Sequence, residues 1–282
     1  IFYFGVAIYF IYYQFNYPWF FAGLTLITLI SFIDDVRSLP SFFRLTIQFI
    51  AMGLMFYQWE LFTMPWYFWL SALVVCTGII NAYNFMDGIN GITGGYSLVL
   101  ASALWYINAH IISFTDEKLV IILILSLLVF NFFNFRTNAK CFAGDVGATS
   151  VAFILIFMIG QLIIKTGDFS YLILLVIYGV DTVLTIIHRI LLKEPLMEAH
   201  RKHMYQIMAN ELKLPHITVS LVYMAVQAVI IGGYFLTSNH YLYFAIVILV
   251  LITVYLLFMK KYFHLHIEKT KNIKTKIKIN CK

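Results

Sequence analysis

From residue 2 to residue 259 the chain runs as one apolar stretch after another, and the short polar breaks between them set what it can fold into. Crossing a hydrocarbon core of roughly 30 Å takes about 20 apolar residues in a helix. Ten stretches of this kind are read, near 2–13, 17–33, 42–57, 65–80, 92–113, 119–135, 148–164, 171–188, 217–236 and 241–259. Lipid offers no partner to backbone amides and carbonyls, so spans must be helices or a closed barrel, and barrel-type alternation is absent. The expected fold class is all-α: a polytopic integral membrane protein of about ten transmembrane helices. Composition agrees, since 62% hydrophobic residues, 11% charged residues and a mean hydropathy of +0.88 exclude a soluble globular domain. Two zones are expected, a single transmembrane helical domain at 1–259 and a basic tail at 260–282.

Threaded alternately, ten passes leave 17 of the 19 basic residues on one side, including Arg37, Arg44, Arg136, Lys140, Arg189, Arg201, Lys202 and the tail lysines. Only Lys118 and Lys165 fall on the other. Such an asymmetry places the basic side in the cytoplasm. The tail reads as a solvated end that reinforces topology, or as a segment adsorbed to anionic membrane lipid; no nucleic acid partner is expected. Cys76, Cys141 and Cys281 have no paired spacing, so neither a disulfide nor a zinc framework is expected. The chain opens inside an apolar stretch without Met or a signal-peptide pattern, so a preceding segment is expected.

Four polar clusters break the apolar pattern, all on the basic side. The first is Asp34-Asp35, ended by Pro40, which stops helical continuation. Adjacent carboxylates at a membrane boundary repel each other and need a cation: Arg37 is one candidate, a divalent metal another. In the second cluster Asn81, Asn84 and Asp87 recur at three-residue spacing ahead of Gly88, Asn90-Gly91 and Gly94-Gly95. That spacing keeps them near one face of a helix end, where amides and a carboxylate suit a nucleobase, ribose or acetamido sugar. A polar turn is the plainer alternative.

The third cluster sets Lys140 and Asp145 around a short loop, with Gly147 opening the next apolar stretch. Lysine is a natural phosphate partner, aspartate a metal ligand, and a helix start presents free amides to an anion; Asp145 as a simple N-cap is the alternative. The fourth holds His188, His200 and His203 with Arg189, Arg201 and Lys202. It lacks zinc-site spacing, and its cations suit a diphosphate held during transfer, or topology alone. Asp181 differs in lying inside an apolar stretch, where a carboxylate is either functional or paired with a neighbouring helix.

In this order the four clusters resemble the polyprenyl-phosphate N-acetylhexosamine-1-phosphate transferases, a family with WecA-like and MraY-like branches. The matching elements are SFIDDVRSLP, NAYNFMDGINGI, NAKCFAGDVGAT and the HR…AHRKHM region. The resemblance implies transfer of HexNAc-1-phosphate from a UDP-N-acetylhexosamine to undecaprenyl phosphate, with Mg2+ (or Mn2+) bound and UMP released. It further implies a bacterial inner-membrane enzyme with a cytoplasmic active site, commonly a homodimer. By the same resemblance Asp34 and Asp35 sit at the metal-diphosphate centre and Asp145 contacts the metal, giving Asp35 and Asp145 as metal ligands. Asn84 and Asp87 lie at the nucleotide end, and Lys140 and His203 hold phosphate or sugar. The candidate catalytic set is thus Asp34, Asp35, Asp145 and His203; the candidate substrate-binding set is Asn81, Asn84, Asp87, Lys140, Arg189 and Arg201.

The chain departs from the family pattern at Asn90, where an aspartate is usual, and at Ala148, where serine is usual. The motif DDVRS lacks the lysine of the MraY-like branch, which favours the WecA-like branch and GlcNAc over a MurNAc-peptide. Electrostatics should dominate such a reaction, since two unit charges 4 Å apart repel by roughly 4 kcal/mol at an effective dielectric near 20. The rival readings are a transporter or channel, and another lipid-phosphate transferase. One-sided clusters and few mid-membrane charges oppose the former.

Overall fold

The computed structural model describes residues 1–13, 15–195 and 201–280, with side chains to His266. Among these residues all regular structure is helical: α1 (Phe2–Tyr12), α2 (Pro18–Val36), α3 (Ser41–Gln58), α4 (Trp66–Met86), α5 (Ile92–His110), α6 (Glu117–Asn134), α7 (Gly144–Thr166), α8 (Val176–Leu191), α9 (Met204–Asn210), α10 (His216–Leu236) and α11 (His240–Asn280). Short 3-10 turns at Leu61–Thr63 and Phe169–Leu175 precede α4 and α8. The helices begin where the sequence stops competing structure. Pro18 opens α2, and Pro40, Pro65 and Pro215 cap α3, α4 and α10, because proline fixes a helix-compatible φ and lacks the amide that would go unpaired there.

Each of the ten apolar stretches is helical, so the all-α polytopic expectation holds. Among the described residues seven helical segments are long and apolar enough to cross a membrane: α2, α4, α6, α7, Phe169–Leu191, α10 and the His240–His266 part of α11. α1 falls outside that group at 11 residues, and α3 and α5, long enough, fall outside it because they are less apolar. Two features add to the sequence reading. The short helix α9 sits inside the fourth cluster, and α11 continues as helix from Lys260 to Asn280, where a solvated tail is read from composition.

Contacts distant in sequence mark two ends of the bundle. Tyr9 donates to Asp116 at 2.7 Å and Trp105 to Glu117 at 3.2 Å at one end. At the other, Arg44 meets Asp34, Asn84 meets Asp145, and Ser220 donates to the Asn90 carbonyl at 2.8 Å. All four polar clusters collect at this second end.

The centre of the bundle is α7, with 72% of its apolar window buried, against 17% for peripheral α11. Phe20 of α2 stacks on Phe157 of α7 at 3.9 Å between ring centroids. Nearer the site, hydroxyls pin the same two helices: Thr28 to Ser150 and Ser31 to Thr149, both 2.9 Å. In lipid each such interhelical bond contributes about 0.6 kcal/mol. Their value here is positional, since they fix the α2 end bearing Asp34 and Asp35 against the α7 start bearing Asp145.

Candidate active site

A cavity of about 750 Å3 opens at the end where the clusters meet, between α2, α3, α4, α7, α8 and α9. Of the candidate residues, Asp34, Asn81, Asn84, Asp87, Asp145, Arg189 and His203 line it. Asp35, Lys140 and Arg201 are exposed and lie outside its lining. Asp34 and Asp35 point apart because neighbours on a helix are about 100° apart. Asp34 shares the cavity face with Ile30 and Ser31, whereas Asp35 lies by the α7 start, with one oxygen 3.4 Å from where a Gly144 Cβ would be. Asp35 also interacts with the backbone amides of Asp145 and Val146, at a helix N-terminus that favours negative charge.

Asp34 is held from two sides: the Leu39 amide donates to Oδ1 at 2.7 Å and the Arg44 guanidinium to Oδ2 at 2.6 Å. Arg44 also lies 3.6 Å from Asp145 Oδ2. One arginine thus bridges the first and third clusters. In the sequence it counts only as a topology-setting charge in α3, and nothing local signals its two partners. Arg37, the cation nearest in sequence, forms no described salt bridge; Arg44 supplies the charge instead.

The second cluster approaches the third through Asn84, whose Nδ2 donates to Asp145 Oδ1 at 2.8 Å. Asp87, just past the end of α4, accepts from the Thr93 hydroxyl at 2.7 Å and the Gly144 amide at 3.1 Å. Burial, with the nearby Asp145 charge, outweighs those donors and raises its carboxyl to about 6. Gly144 can present that amide because its φ of +61° suits glycine. Asn81 instead donates back to the Thr77 carbonyl at 2.8 Å within α4.

Asn90, at the position where the family pattern has aspartate, faces the loop before α7. Its Nδ2 donates to the carbonyls of Arg136 at 2.9 Å and Thr137 at 3.1 Å. A carboxylate, which only accepts, could not make these bonds. Asn134 completes the tie, accepting from the Gly91 amide at 2.7 Å and donating to the Cys141 carbonyl at 2.8 Å. The same loop leaves Lys140 in solvent, with its backbone amide bonded to the Phe133 carbonyl at 2.9 Å.

In the fourth cluster Arg189 is buried at the end of α8 and reaches Glu194, which also pairs with Lys202. Burial raises the Glu194 carboxyl, but Lys202 and Arg189 together outweigh it and hold the group below the usual glutamate range. His203 precedes α9 and is buried between Phe85 and Tyr205, with ring centroids at 6.1 and 5.9 Å. His188 packs on Phe263 of α11, outside the cavity lining, and His200 lies outside the described residues.

The carboxylates at this end are the candidate metal donors and the arginines the candidate anion partners. Asp34 and Asp145 converge on a single cation, and Mg2+ needs only one or two carboxylates beside phosphate oxygens and water. Among the described residues no cluster of three or more His, Cys, Asp or Glu could hold a metal by itself, so the donor set suits an ion shared with a phosphate ligand.

An all-helical bundle of membrane-crossing length, with carboxylates, amides and arginines gathered in a cavity at one end, defines a polytopic membrane protein. Residues 17–163, just over half of the chain, match the family described as glycosyl transferase family 4, and the chain belongs to that family. It is 28% identical over 200 residues to a probable undecaprenyl-phosphate N-acetylglucosaminyl 1-phosphate transferase of Bacillus subtilis (strain 168), covering 65% of this chain and 56% of the relative. It is 29% identical over 113 residues to the undecaprenyl-phosphate alpha-N-acetylglucosaminyl 1-phosphate transferase of Escherichia coli (strain K12), covering 39% and 30%. Identity to the phospho-N-acetylmuramoyl-pentapeptide-transferase of Thermotoga maritima is 27% over 184 residues, covering 58% of each. The chain thus spans less than two thirds of the length of each of these relatives.

Proposed function

We propose that this protein transfers a HexNAc-1-phosphate, with GlcNAc-1-phosphate as first choice, from a UDP-sugar to undecaprenyl phosphate. The observation that carries the reading is the meeting of Asp34, Arg44, Asn84, Asp87 and Asp145 from four sequence segments in one cavity. The names of the Bacillus and Escherichia relatives support GlcNAc and the undecaprenyl carrier. On this reading the enzyme belongs in a bacterial inner membrane with the cavity facing the cytoplasm, where UDP-sugars are made.

In the proposed reaction an oxygen of the lipid phosphate attacks the sugar-bearing β-phosphorus. The bond from that phosphorus to the bridging oxygen breaks, and UMP leaves with the bond's electron pair. A lipid monophosphate with a second pKa near 6 is already mostly dianionic at neutral pH, so removing its proton gives little rate advantage. The larger task is to bring anions together and hold the charge on the leaving group. Arg44 and Arg189 supply fixed positive charge at the cavity. Asn84 orients Asp145 through its 2.8 Å bond, and Asp87 and Asn84 offer acceptors and donors to the nucleotide end. Asp34 acts here as a positioner, held by Arg44 and the Leu39 amide. Asp145, with Asp34 or Asp35, would hold a Mg2+ ion, which would supply charge to offset the diphosphate. The test is transfer of radiolabel from UDP-GlcNAc to undecaprenyl phosphate in purified protein with Mg2+, scored against UDP-GalNAc and against no lipid. Absence of lipid-linked product with every UDP-HexNAc would sink the reading.

A further inference from the structure

Tyr205, the second residue of α9, is completely buried, and the proposed chemistry gives it no part. Its hydroxyl donates to the Phe85 carbonyl at 2.8 Å, 120 residues away in sequence. The last four carbonyls of a helix have no partner within it, and Phe85 carries one of those four in α4. On either side of it the Asp87 amide turns back to the Asn84 carbonyl at 3.3 Å, and the Gly88 amide to the Met86 carbonyl at 3.0 Å. The turn that carries Asp87 is thus closed by two short-range bonds and by one bond from α9. The Tyr205 ring also lies against Gly88, where an added Cβ would overlap the phenol oxygen and come within 3.1 Å of two ring carbons. Tyr205 therefore meets the chain both before and after Asp87.

The rest of α9 gives this contact a firm base. The Met204 amide donates to Asp181 Oδ1 at 3.0 Å, and Ile207 is buried with Tyr255, Met259 and Phe263 of α11. The Tyr205 ring meets Tyr223 of α10 edge-on, with centroids 6.4 Å apart. A side chain confined in this way has little room to change rotamer, so it can act as a strut. Asp87 is on the receiving side: its carboxylate accepts from the Thr93 hydroxyl and the Gly144 amide only if the backbone of its turn is held in place. We propose that Tyr205 is a positioning residue for the nucleotide end: it caps α4 and fixes Asp87 in the geometry that binds the uridine nucleotide. Within the fourth cluster this task falls to a neutral phenol acting on backbone, not to a cation, and it needs no contact with substrate. This inference rests on the transferase reading and deepens it by assigning what holds the nucleotide end in place.

The test is calorimetric titration with UMP, beside steady-state kinetics for both substrates and thermal unfolding in detergent. Tyr205→Phe keeps the ring and deletes only the donor, and a neutral hydrogen bond of this kind corresponds to about 3- to 10-fold. UMP affinity and the KM for UDP-GlcNAc are expected to weaken by that factor, while the KM for undecaprenyl phosphate stays within about twofold. In an Asp87→Ala background the same substitution should cost UMP binding nothing further, because the turn then has no carboxylate to place. Gly88→Ala, which pushes the phenol aside, should reproduce the loss, and it serves as the probe if Tyr205→Phe fails to accumulate. Tyr243→Phe, which removes a 3.0 Å bond to the Ile230 carbonyl between α11 and α10, should leave UMP affinity unchanged. UMP affinity at the wild-type level in Tyr205→Phe, losses that multiply with Asp87→Ala, or equal losses for both substrates that track a fall in melting temperature would each overturn the proposal and leave the transferase reading standing. A wild-type protein that transfers no sugar phosphate ends that reading, and the positioning role with it.

Discussion

Asn84 and Asp145, 61 residues apart in sequence, are joined by a 2.8 Å hydrogen bond from the Asn84 amide to Asp145 Oδ1. The other Asp145 oxygen lies 3.6 Å from Arg44, so this carboxylate is oriented by an amide on one side and a cation on the other. Asp145 is the point where the second and third clusters become one site.

Removing charge from that point should stop catalysis without unfolding the protein. Asp145→Asn and Asp35→Asn are each expected to lower kcat by on the order of 10² or more, as for lost transition-state electrostatics, while insertion and melting temperature hold. Steady-state transfer with purified variants is the measurement. Activity within tenfold of wild type in either would remove that residue from the chemistry.

Asn84 and Asp87 are assigned to the nucleotide end, and their alanine variants should separate the two substrates. Each should weaken UMP and UDP-sugar binding by roughly tenfold, the worth of a hydrogen bond involving a charged group, with lipid-phosphate KM little changed. Calorimetric UMP titrations beside lipid kinetics would check this. Equal losses for both substrates would contradict a nucleotide pocket at this end.

Much of this arrangement was legible in the sequence because its signals are local. Runs of apolar residues, proline starts and three-residue spacing at Asn81, Asn84 and Asp87 all act through neighbours on one helix. What pairs across helices was not legible. Arg44 looks like any basic residue at a helix start until α2 and α3 fold back to set it on Asp34. Asp181 could be read as buried but not as the partner of His203, because that pairing depends on α9 turning back under α8 and α10. Lys140 and Arg201 show the converse: their residue type fits phosphate, yet backbone direction carries both outside the cavity lining.

The departure at Asn90 has its own consequence. Asn90→Asp would restore the family residue yet remove the donor shared by the Arg136 and Thr137 carbonyls. Losing that donor, whose partner carbonyls are only partly buried, should destabilise the protein by about 0.5–1.5 kcal/mol and loosen the loop before α7. Thermal unfolding in detergent, with protease sensitivity of 135–143, reads both. A variant as stable and as protease-resistant as wild type would show that the tie is dispensable.

Asp87 makes stability depend on pH in a definite direction. Its carboxyl is raised from an ordinary 3.8 to about 6, so between those values the folded chain binds more protons than the unfolded one. Stability contributed by this group is therefore full below about pH 4 and is lost as pH rises through about 6. Asp87→Asn cannot ionise, so its melting temperature relative to wild type should climb from pH 4 to pH 7 and level off above. A difference that is flat with pH, or that falls, would show that burial does not dominate at this carboxyl.

Every functional assignment requires the cavity to open toward the cytosol, where UDP-sugars reside and from which they cannot cross lipid. The contacts gather the four clusters at one end of the bundle, and 17 of 19 basic residues belong to the same side by alternate threading. That charge bias predicts the sidedness, since basic loops are enriched on the cytoplasmic face. Single cysteines at Ser38, Asn138 and Lys202, in a background lacking Cys76, Cys141 and Cys281, should therefore resist impermeant thiol reagents in intact cells and react once the membrane is opened. Cysteines at Asp116 and Ser238, at the opposite end, should label in intact cells. Labelling of Ser38 and Asn138 from outside would turn the bundle over, separate the cavity from its proposed nucleotide substrate, and end the transferase reading.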